Sequence, residues 1–303
     1  MTALAFNGRR WNADGLMMNG RGSIPLIDVL PGALHIWDAA GDVVTSSTAL
    51  DAYWTDGDAG DRVLSVPDLA GERPLARDPG FLTSVTQSLI DIFQPELGAA
   101  PLLPGPVWVP SSASFAGRPA WSSDTLLTGN FFFDNIHSAL TPHTSRTEEW
   151  NYPQSWWGAT MFRFPVGVSG PELTLIDGEP GMMTSGWDTT HIEFAAWDSF
   201  APPNKAGQLD ATVTGAASDR TYLAMWTVNG ARSEVRVVTR DATGTLTETG
   251  ETGVLGSTGK ALTHLHDGWS YTCERTFLAI GVGACPFDDL AAHCESWIPA
   301  GTA

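Results

Sequence analysis

Short apolar runs alternate with polar positions and turn residues over much of the chain. One run, TYLAMWTV at 221–228, is followed by an Asn-Gly pair and then by SEVRVVTR at 233–240, where Val235 and Val237 alternate with Arg236. Asn-Gly between two such runs is a strong hairpin signal. The pattern predicts two antiparallel strands joined by a turn.

Helical periodicity is scarce. Residues 79–93 place apolar side chains at the i, i+3/i+4 and i+7 spacing of a helix. Residues 286–297 predict a second, short helix, because Pro286 suits a first turn and Asp288 and Asp289 lie near the positive helix end. Many short strands with two short helices favour an antiparallel β-sandwich.

Composition excludes several classes of partner. The 303 residues include 13 Trp and 13 Phe, and 43% of them are hydrophobic, so a folded domain with a sizeable core is expected. The 34 acidic residues outnumber the 16 basic ones and give a net charge of −18, which repels nucleic acid and anionic lipid. No run of 18 apolar residues occurs, so no membrane insertion is predicted.

The first twenty residues and the cysteines indicate the cellular compartment in which the chain folds. Those residues lack a positive start followed by an apolar core, so no signal peptide is predicted. Cys273, Cys285 and Cys294 are odd in number and form no C-x-x-C, so we expect reduced thiols, no zinc site and folding in a cytoplasm.

Three segments carry a family resemblance. They are GALHIWDAAGDVVTS (32–46), DRVLSVPDLAGERPLAR (61–77) and PVWVPSSASFAGRPAWSSDTLLTG (106–129). In this order they resemble the first half of concanavalin A-like (laminin G-like) lectin/glucanase jelly-roll domains, of the type carried by phage tail or spike proteins and bacterial surface proteins. The matching residues are Leu34, Trp37, Asp38, Ala39 and Asp42, then Val63 to Asp68, Leu69 and Gly71, then Gly117 to Trp121 and Asp124.

The resemblance implies an all-β, antiparallel jelly-roll β-sandwich with one or two short helices. Residues 26–303 would form the sandwich, with insertions near 79–105 and 130–160, and residues 1–25 would form a short N-terminal arm. Val66 stands where the family prefers Trp. The closing segment FLAIGVGACPFDDLAAHCESWIPAG is similar to the last strand and short helix of that family.

The expected function is that of a non-enzymatic virion protein. It would belong to a phage tail, fibre or head spike, assemble in the host cytoplasm and contact host surface polysaccharide for attachment. Its other partners would be virion proteins and further copies of itself. The alternatives are a cellular carbohydrate-binding module and a glycan hydrolase.

Catalytic patterns are weak. A glycosidase needs two carboxylates that flank the scissile bond. Glu193 and Asp198 are five residues apart, so they would point to opposite faces of an ideal strand. His264 and His266 share a strand face and could hold a metal, but no third ligand lies nearby in the sequence, and a polar strand end is the simpler interpretation. No catalytic residue is predicted.

The segment EEWNYPQSWWG (148–158) is the glycan-binding candidate, in what the sequence predicts to be a loop. Aromatic faces pack against the C–H faces of sugars, and amides bind their hydroxyls. The alternative is an aromatic cluster that plugs the sandwich. The candidate residues are Trp150, Asn151, Tyr152, Gln154, Trp156 and Trp157.

Two further sites are predicted outside that segment. No cofactor is expected except calcium, for which Asp56, Asp58 and Asp61 form a candidate loop; a solvated turn is the alternative. The arm carries apolar side chains that would dock on a partner or fold back on the sandwich. The docking candidates are Phe6, Trp11, Met17 and Met18.

Overall fold

Antiparallel strands dominate the computed structural model of the protein. It describes residues 5–6, 9–10, 25–46, 62–76, 106–122, 150–151, 155–163, 173–176, 183–187, 191–197, 205–213, 220–241, 243–255, 261–262 and 274–300. Among these residues, no helix is long and apolar enough to cross a membrane.

The described strands and helices follow one another in a simple order. The strands are β1 (Ala5–Phe6), β2 (Arg9–Arg10), β3 (Ala33–Asp38), β4 (Val44–Ser46), β5 (Arg62–Val66), β6 (Leu75–Ala76), β7 (Val107–Ser112), β8 (Arg118–Ser122), β9 (Trp150–Asn151), β10 (Trp156–Arg163), β11 (Leu173–Ile176), β12 (Met183–Trp187), β13 (His191–Trp197), β14 (Lys205–Thr212), β15 (Thr221–Val228), β16 (Gly230–Arg240), β17 (Leu246–Leu255), β18 (Ala261–Leu262) and β19 (Glu274–Val282). The α-helices are α1 (Leu26–Val29) and α2 (Phe287–Cys294), and 3₁₀ turns cover Ala113–Phe115 and Glu295–Trp297.

A large sheet forms the centre of the molecule. Its strand order is β17-β16-β15-β10-β19-β8-β7-β5-β4, with β3 also paired to β19 and β6 to β5. Every described pair is antiparallel. β15 is buried at every position, and β10 and β19 at nearly every one, which means that both faces of the sheet are covered.

A second, four-stranded sheet covers one face. Its order is β11-β12-β13-β14, and β14 packs over β16 and β17. Leu209 and Ala211 of β14 join Trp226, Val235 and Val237 of the large sheet in one apolar core. Two sheets packed face to face across such a core form a β-sandwich, so the predicted all-β sandwich class is confirmed.

Helices cover the opposite face of the large sheet. α1 and α2 pack there with Met161, Met225 and Phe277 in a second core. α2 begins directly after Pro286 and has Asp288 and Asp289 in its first turn, next to the positive end of the helix dipole. The helix predicted at 286–297 is confirmed as α2 and the 3₁₀ turn that follows it. The helix predicted at 79–93 lies outside the described residues.

The Asn-Gly hairpin is present. β15 and β16 pair from Tyr222↔Thr239 to Thr227↔Glu234. Gly230 has a φ of +56°, a conformation that a residue with a Cβ rarely adopts. Ser233 closes the turn, because its hydroxyl accepts a hydrogen bond from the Asn229 amide at 2.8 Å.

Two tryptophans lie flat over glycines on the neighbouring strands. Trp157 of β10 pairs with Gly281 of β19, and Gly158 of β10 pairs with Trp226 of β15. A Cβ added at either glycine would overlap the indole opposite it. The glycines therefore make room for large side chains on both faces of the sheet.

The first two family-like segments meet at Asp68. Its carboxylate accepts hydrogen bonds from the Ile36 amide at 3.1 Å and the Gly71 amide at 2.9 Å, and lies 2.6 Å from Nδ1 of His35. Burial by itself would raise the pKa of Asp68, but the bonds from His35 and from backbone amides outweigh it and lower the pKa. Trp37 donates its indole N–H to the Arg73 carbonyl at 2.7 Å. These residues fasten the chain after β5 to β3.

Arg118, in the third family-like segment, contacts both the first segment and the last described helical turn of the chain. The guanidinium of Arg118 donates to Oδ1 of Asp38 at 2.6 Å and lies 3.6 Å from the ring centroid of Trp297. Both charged side chains are largely buried, with 14% and 7% of their surface exposed. The motif residues on these segments therefore act as structural junctions in this fold.

Candidate functional site

An open polar cavity lies on the β16–β17 hairpin, at one end of the large sheet. Its volume is about 330 Å³, at the small end of the range for ligand sites. The lining residues are Glu234, Val235, Arg236, Glu248, Thr249, Gly250, Glu251 and Thr252. Seven of these eight residues are polar, charged or glycine, so hydrogen-bonding groups dominate the surface of the cavity.

Strand geometry brings the charged groups together. Alternate residues of a strand share a face, so Glu234 and Arg236 emerge on the same side of β16 while Val235 and Val237 enter the core. In the adjacent strand, Gly250 is the residue opposite Arg236. A Cβ there would overlap the Val235 carbonyl oxygen and come within 3.1 Å of the Arg236 Cγ, so the glycine allows the backbone of β16 and the base of the Arg236 side chain to approach closely.

Arg236 is fixed by three carboxylates. Its Nε donates to Glu234 at 2.6 Å, and its Nη1 donates to Glu248 at 3.0 Å and to Asp288 of α2 at 2.8 Å. The guanidinium also lies 4.6 Å from the ring centroid of Phe287. The arginine therefore ties the cavity to the helix layer.

The charge balance of the site stabilises the cation. Burial by itself would lower the pKa of Arg236, but the hydrogen bond and charge of Glu234, with further bonds to Glu248 and Asp288, raise it. Arg236 thus remains charged at every physiological pH. Three carboxylates bond one guanidinium, so the site is net negative.

One buried hydroxyl lies on β17, the strand that lines the cavity. Among the described residues, Thr249 has a buried Oγ1 with no hydrogen-bond partner. Thr249 lies opposite Val237, so its side chain is on the core face of the sheet and not on the face of Arg236. The groups available to a small polar ligand on the Arg236 face are Glu234, Arg236, Glu248 and Thr252.

Two of the predicted glycan contacts are core residues instead. Trp156 is 6% exposed and Trp157 is 1% exposed, and both lie in the central strand β10 rather than in a loop. They point to opposite faces of the sheet, one into each core. The prediction is therefore wrong for these two side chains, and the alternative of a buried aromatic cluster applies to them.

The remaining predicted contacts are only partly described. Trp150 and Asn151 form β9, which pairs with β18. Tyr152 and Gln154 lie outside the described residues.

The other predicted sites fall mainly outside the described part of the chain. This holds for the calcium candidates Asp56, Asp58 and Asp61 and for the docking candidates Trp11, Met17 and Met18. Phe6 is in β1, which pairs with β2 as a short hairpin within the arm. Among the described residues, no three His, Cys, Asp or Glu side chains group as metal ligands. Cys285 and Cys294 are buried, free thiols.

Sequence reasoning missed the cavity itself. The alternation of Val235 and Val237 with Arg236 predicts a strand but indicates no binding site on it. The related signal is the repeated Thr-Glu-Thr-Gly-Glu-Thr of 247–252 on the next strand. Only the register of β16 with β17, and the position of Asp288, show that these groups converge.

Comparisons with known proteins give weak likenesses. No protein-family model matches the chain, and no curated protein matches it. Among solved structures, a GH54 α-L-arabinofuranosidase has a TM-score of 0.48 at 10% identity, covering 92% of this chain and 62% of the enzyme. The binding domain of Paraclostridial Mosquitocidal Protein 1 has a TM-score of 0.43 at 9% identity, covering 64% of this chain and 46% of that one.

The botulinum neurotoxin serotype C1 binding domain is a third similar structure. Its TM-score is 0.38 at 12% identity, with 60% of this chain and 48% of that chain covered. The chain thus spans less than two thirds of the length of each of these three structures. All three TM-scores are below 0.5, and the function of this chain is therefore inferred from its own residues.

Proposed function

We propose that this chain is a non-enzymatic, lectin-like virion protein of a phage tail, fibre or head spike that binds host surface glycan. The polar cavity on the β16–β17 hairpin is the observation that supports glycan binding. Sugars present many hydroxyls and few charges, and they bind where fixed carboxylates, hydroxyls and arginines are already oriented. Arg236 is oriented in this way by Glu234, Glu248 and Asp288.

Charge narrows the class of glycan. The site is net negative and the whole chain carries −18, so polyanionic polysaccharides are repelled at long range. Neutral glycans avoid this repulsion, and their hydroxyls can donate to Glu234 and Glu248. We propose a neutral surface polysaccharide as the ligand.

The virion role rests on the three family-like segments of the sequence. The arm adds support, because a short segment with apolar side chains and a β1–β2 hairpin suits attachment to a neighbouring subunit. A cellular carbohydrate-binding module would share the cavity but would not be found in particles.

Glycan-array binding tests the site. Glu248→Gln removes one charge with little change in shape and should weaken binding by about tenfold, the effect of losing one hydrogen bond to a charged group. The matched control is Glu295→Gln. Glu295 also binds an arginine, Arg240 at 3.1 Å, and is similarly exposed, but it lies outside the cavity lining.

The outcomes separate the alternatives. Equal weakening by both variants, or binding that neither variant changes, would remove the cavity from the proposal. Release of reducing ends from the bound polysaccharide would indicate a hydrolase. Mass spectrometry of purified particles from lysed host cells should detect the chain, and its absence there would favour the cellular module.

A further inference from the structure

The C-terminal end of the described chain packs on the large sheet as a latch, defined here as residues 287–297. α2 and its 3₁₀ turn bury Phe287, Leu290, Cys294 and Trp297 in the second core. Trp297 has only 5% of its surface exposed. Trp297 is therefore one of the buried side chains that close this face of the sheet.

Two basic side chains contact that ring from different elements. Arg118 of β8 lies 3.6 Å from the centroid of Trp297, held by Asp38 of β3. His293 of α2 meets the same ring edge-on, with the centroids 4.8 Å apart and the planes at 80°. A neutral imidazole suits this position, because only one of the two side chains is then cationic.

The Nε2 atom of His293 has no hydrogen-bond acceptor among the described residues that would stabilise a proton there. This atom is buried. The charged groups on the elements around it are Arg118 of β8, Asp38 of β3, the exposed Asp28 of α1, Arg236 and Arg240 of β16, and Asp288, Asp289 and Glu295 of its own segment. Asp38 is already paired with Arg118, and the acidic residues of α1 and α2 are exposed to solvent.

The electrostatics favour the neutral form. Burial lowers the pKa of His293, the charge of Arg118 lowers it further, and Asp38 opposes the shift. Because the pKa of His293 is lower in the closed latch than in the open latch, the closed latch binds fewer protons. The latch is therefore destabilised as pH falls below the ordinary histidine pKa of about 6.5.

We propose that the latch is acid-sensitive: protonation of His293 beside Arg118 unseats Trp297 and releases residues 287–297 from the sheet. Release would uncover the apolar face that α2 covers, including Met225 and Phe277. It would also break the Arg236–Asp288 bond and so loosen the wall of the polar cavity. Acidification would therefore change both the helix layer and the surface of the large sheet that the layer covers.

Hydrogen–deuterium exchange at pH 7.5 and 5.5, corrected for intrinsic rates, tests the proposal. Protection of the latch amides should fall about five- to tenfold at pH 5.5, as expected for one group that titrates near 6.5 only when the latch is open. Protection of β15 should not change, since it lies in the middle of the sheet. Equal loss in β15 would mean global unfolding and would overturn the proposal.

His293→Gln supplies the matched variant. Glutamine cannot become cationic, so the latch of the variant should keep the same protection at both pH values. A pH response that persists in the variant would overturn the proposal. If the variant does not fold, ¹⁵N-histidine spectra of the wild-type chain decide the question: in the closed latch the His293 ring must stay neutral to a pH below the ordinary histidine pKa of about 6.5, and a His293 that titrates at that ordinary value refutes the latch.

Discussion

Replacing Arg118 with methionine should lower the free energy of unfolding by about 4 kcal/mol. The change keeps an unbranched side chain but removes the guanidinium that bonds Asp38 at 2.6 Å and covers Trp297. Removing one partner of a buried ion pair costs about 3–5 kcal/mol, because the other charge stays buried without compensation. Loss of the cation–π contact adds about 1 kcal/mol, which a methionine sulfur against the ring partly restores.

Urea denaturation is the measurement. The midpoint should fall while the slope with denaturant stays constant, since the folded state remains as compact. Asp38→Asn combined with Arg118→Met should cost less than the sum of the two single changes, with a coupling of about 2 kcal/mol. Arg232→Met changes an exposed arginine near the start of β16 and serves as the control, with an expected loss below about 0.5 kcal/mol.

Two results would refute the reasoning about this junction. The first is a loss for Arg118→Met below about 1 kcal/mol, the size expected of a surface ion pair. The second is strict additivity with Asp38→Asn, which would mean that the two side chains do not stabilise each other.

Three further changes have defined outcomes. Gly281→Ala places a methyl against Trp157 and should cost about 1–3 kcal/mol in denaturant unfolding. Asp68→Asn removes a carboxylate whose pKa is lowered by His35 and backbone amides. The charged carboxylate stabilises the folded state above the pKa that Asp68 has in the unfolded chain, and this contribution disappears as pH falls. The free energy of unfolding of the variant should therefore fall less than that of the wild type below about pH 5. Burial raises the pKa of the Cys294 thiol, so mass spectrometry should find it unmodified by iodoacetamide at pH 7.5.

For each of these three predictions, a defined result would contradict the reasoning. Gly283→Ala is the control for Gly281, because no atom lies within 4 Å of the added methyl although its φ of +90° is strained; an equal loss in both variants would implicate the backbone alone. An unchanged acid slope in Asp68→Asn would separate that carboxylate from acid unfolding. Rapid alkylation of Cys294 in the folded chain would mean that α2 opens readily at neutral pH.

The local patterns of the sequence determine the class of this fold. Alternation in 233–240 produces β16 because Val235 and Val237 can enter a core only if Arg236 points the other way. The Asn-Gly pair supplies the positive φ that the turn needs, and Pro286 with two aspartates starts α2. These effects depend on neighbours in the chain, which is why they can be predicted from the sequence.

The roles of the aromatic residues were decided by tertiary structure. The sequence puts Trp156 and Trp157 in an aromatic, polar segment typical of a binding loop, yet both are buried. Their position depends on β10 lying between β15 and β19, with Gly281 opposite Trp157. Pairing between distant strands leaves no mark in the local pattern, since a glycine is compatible with many turns as well as with a neighbouring indole.

The candidate site was likewise formed by strand register and helix docking. Glu234 and Arg236 are two residues apart in sequence, but Glu248 comes from the next strand and Asp288 from a helix 52 residues beyond Arg236. Each residue alone is typical of a solvated surface. The sequence therefore determines the β-sandwich class and the position of single strands. The polar cavity and the junction at Arg118 exist only because the folded chain brings distant charges within hydrogen-bonding distance, where partial burial strengthens their interaction.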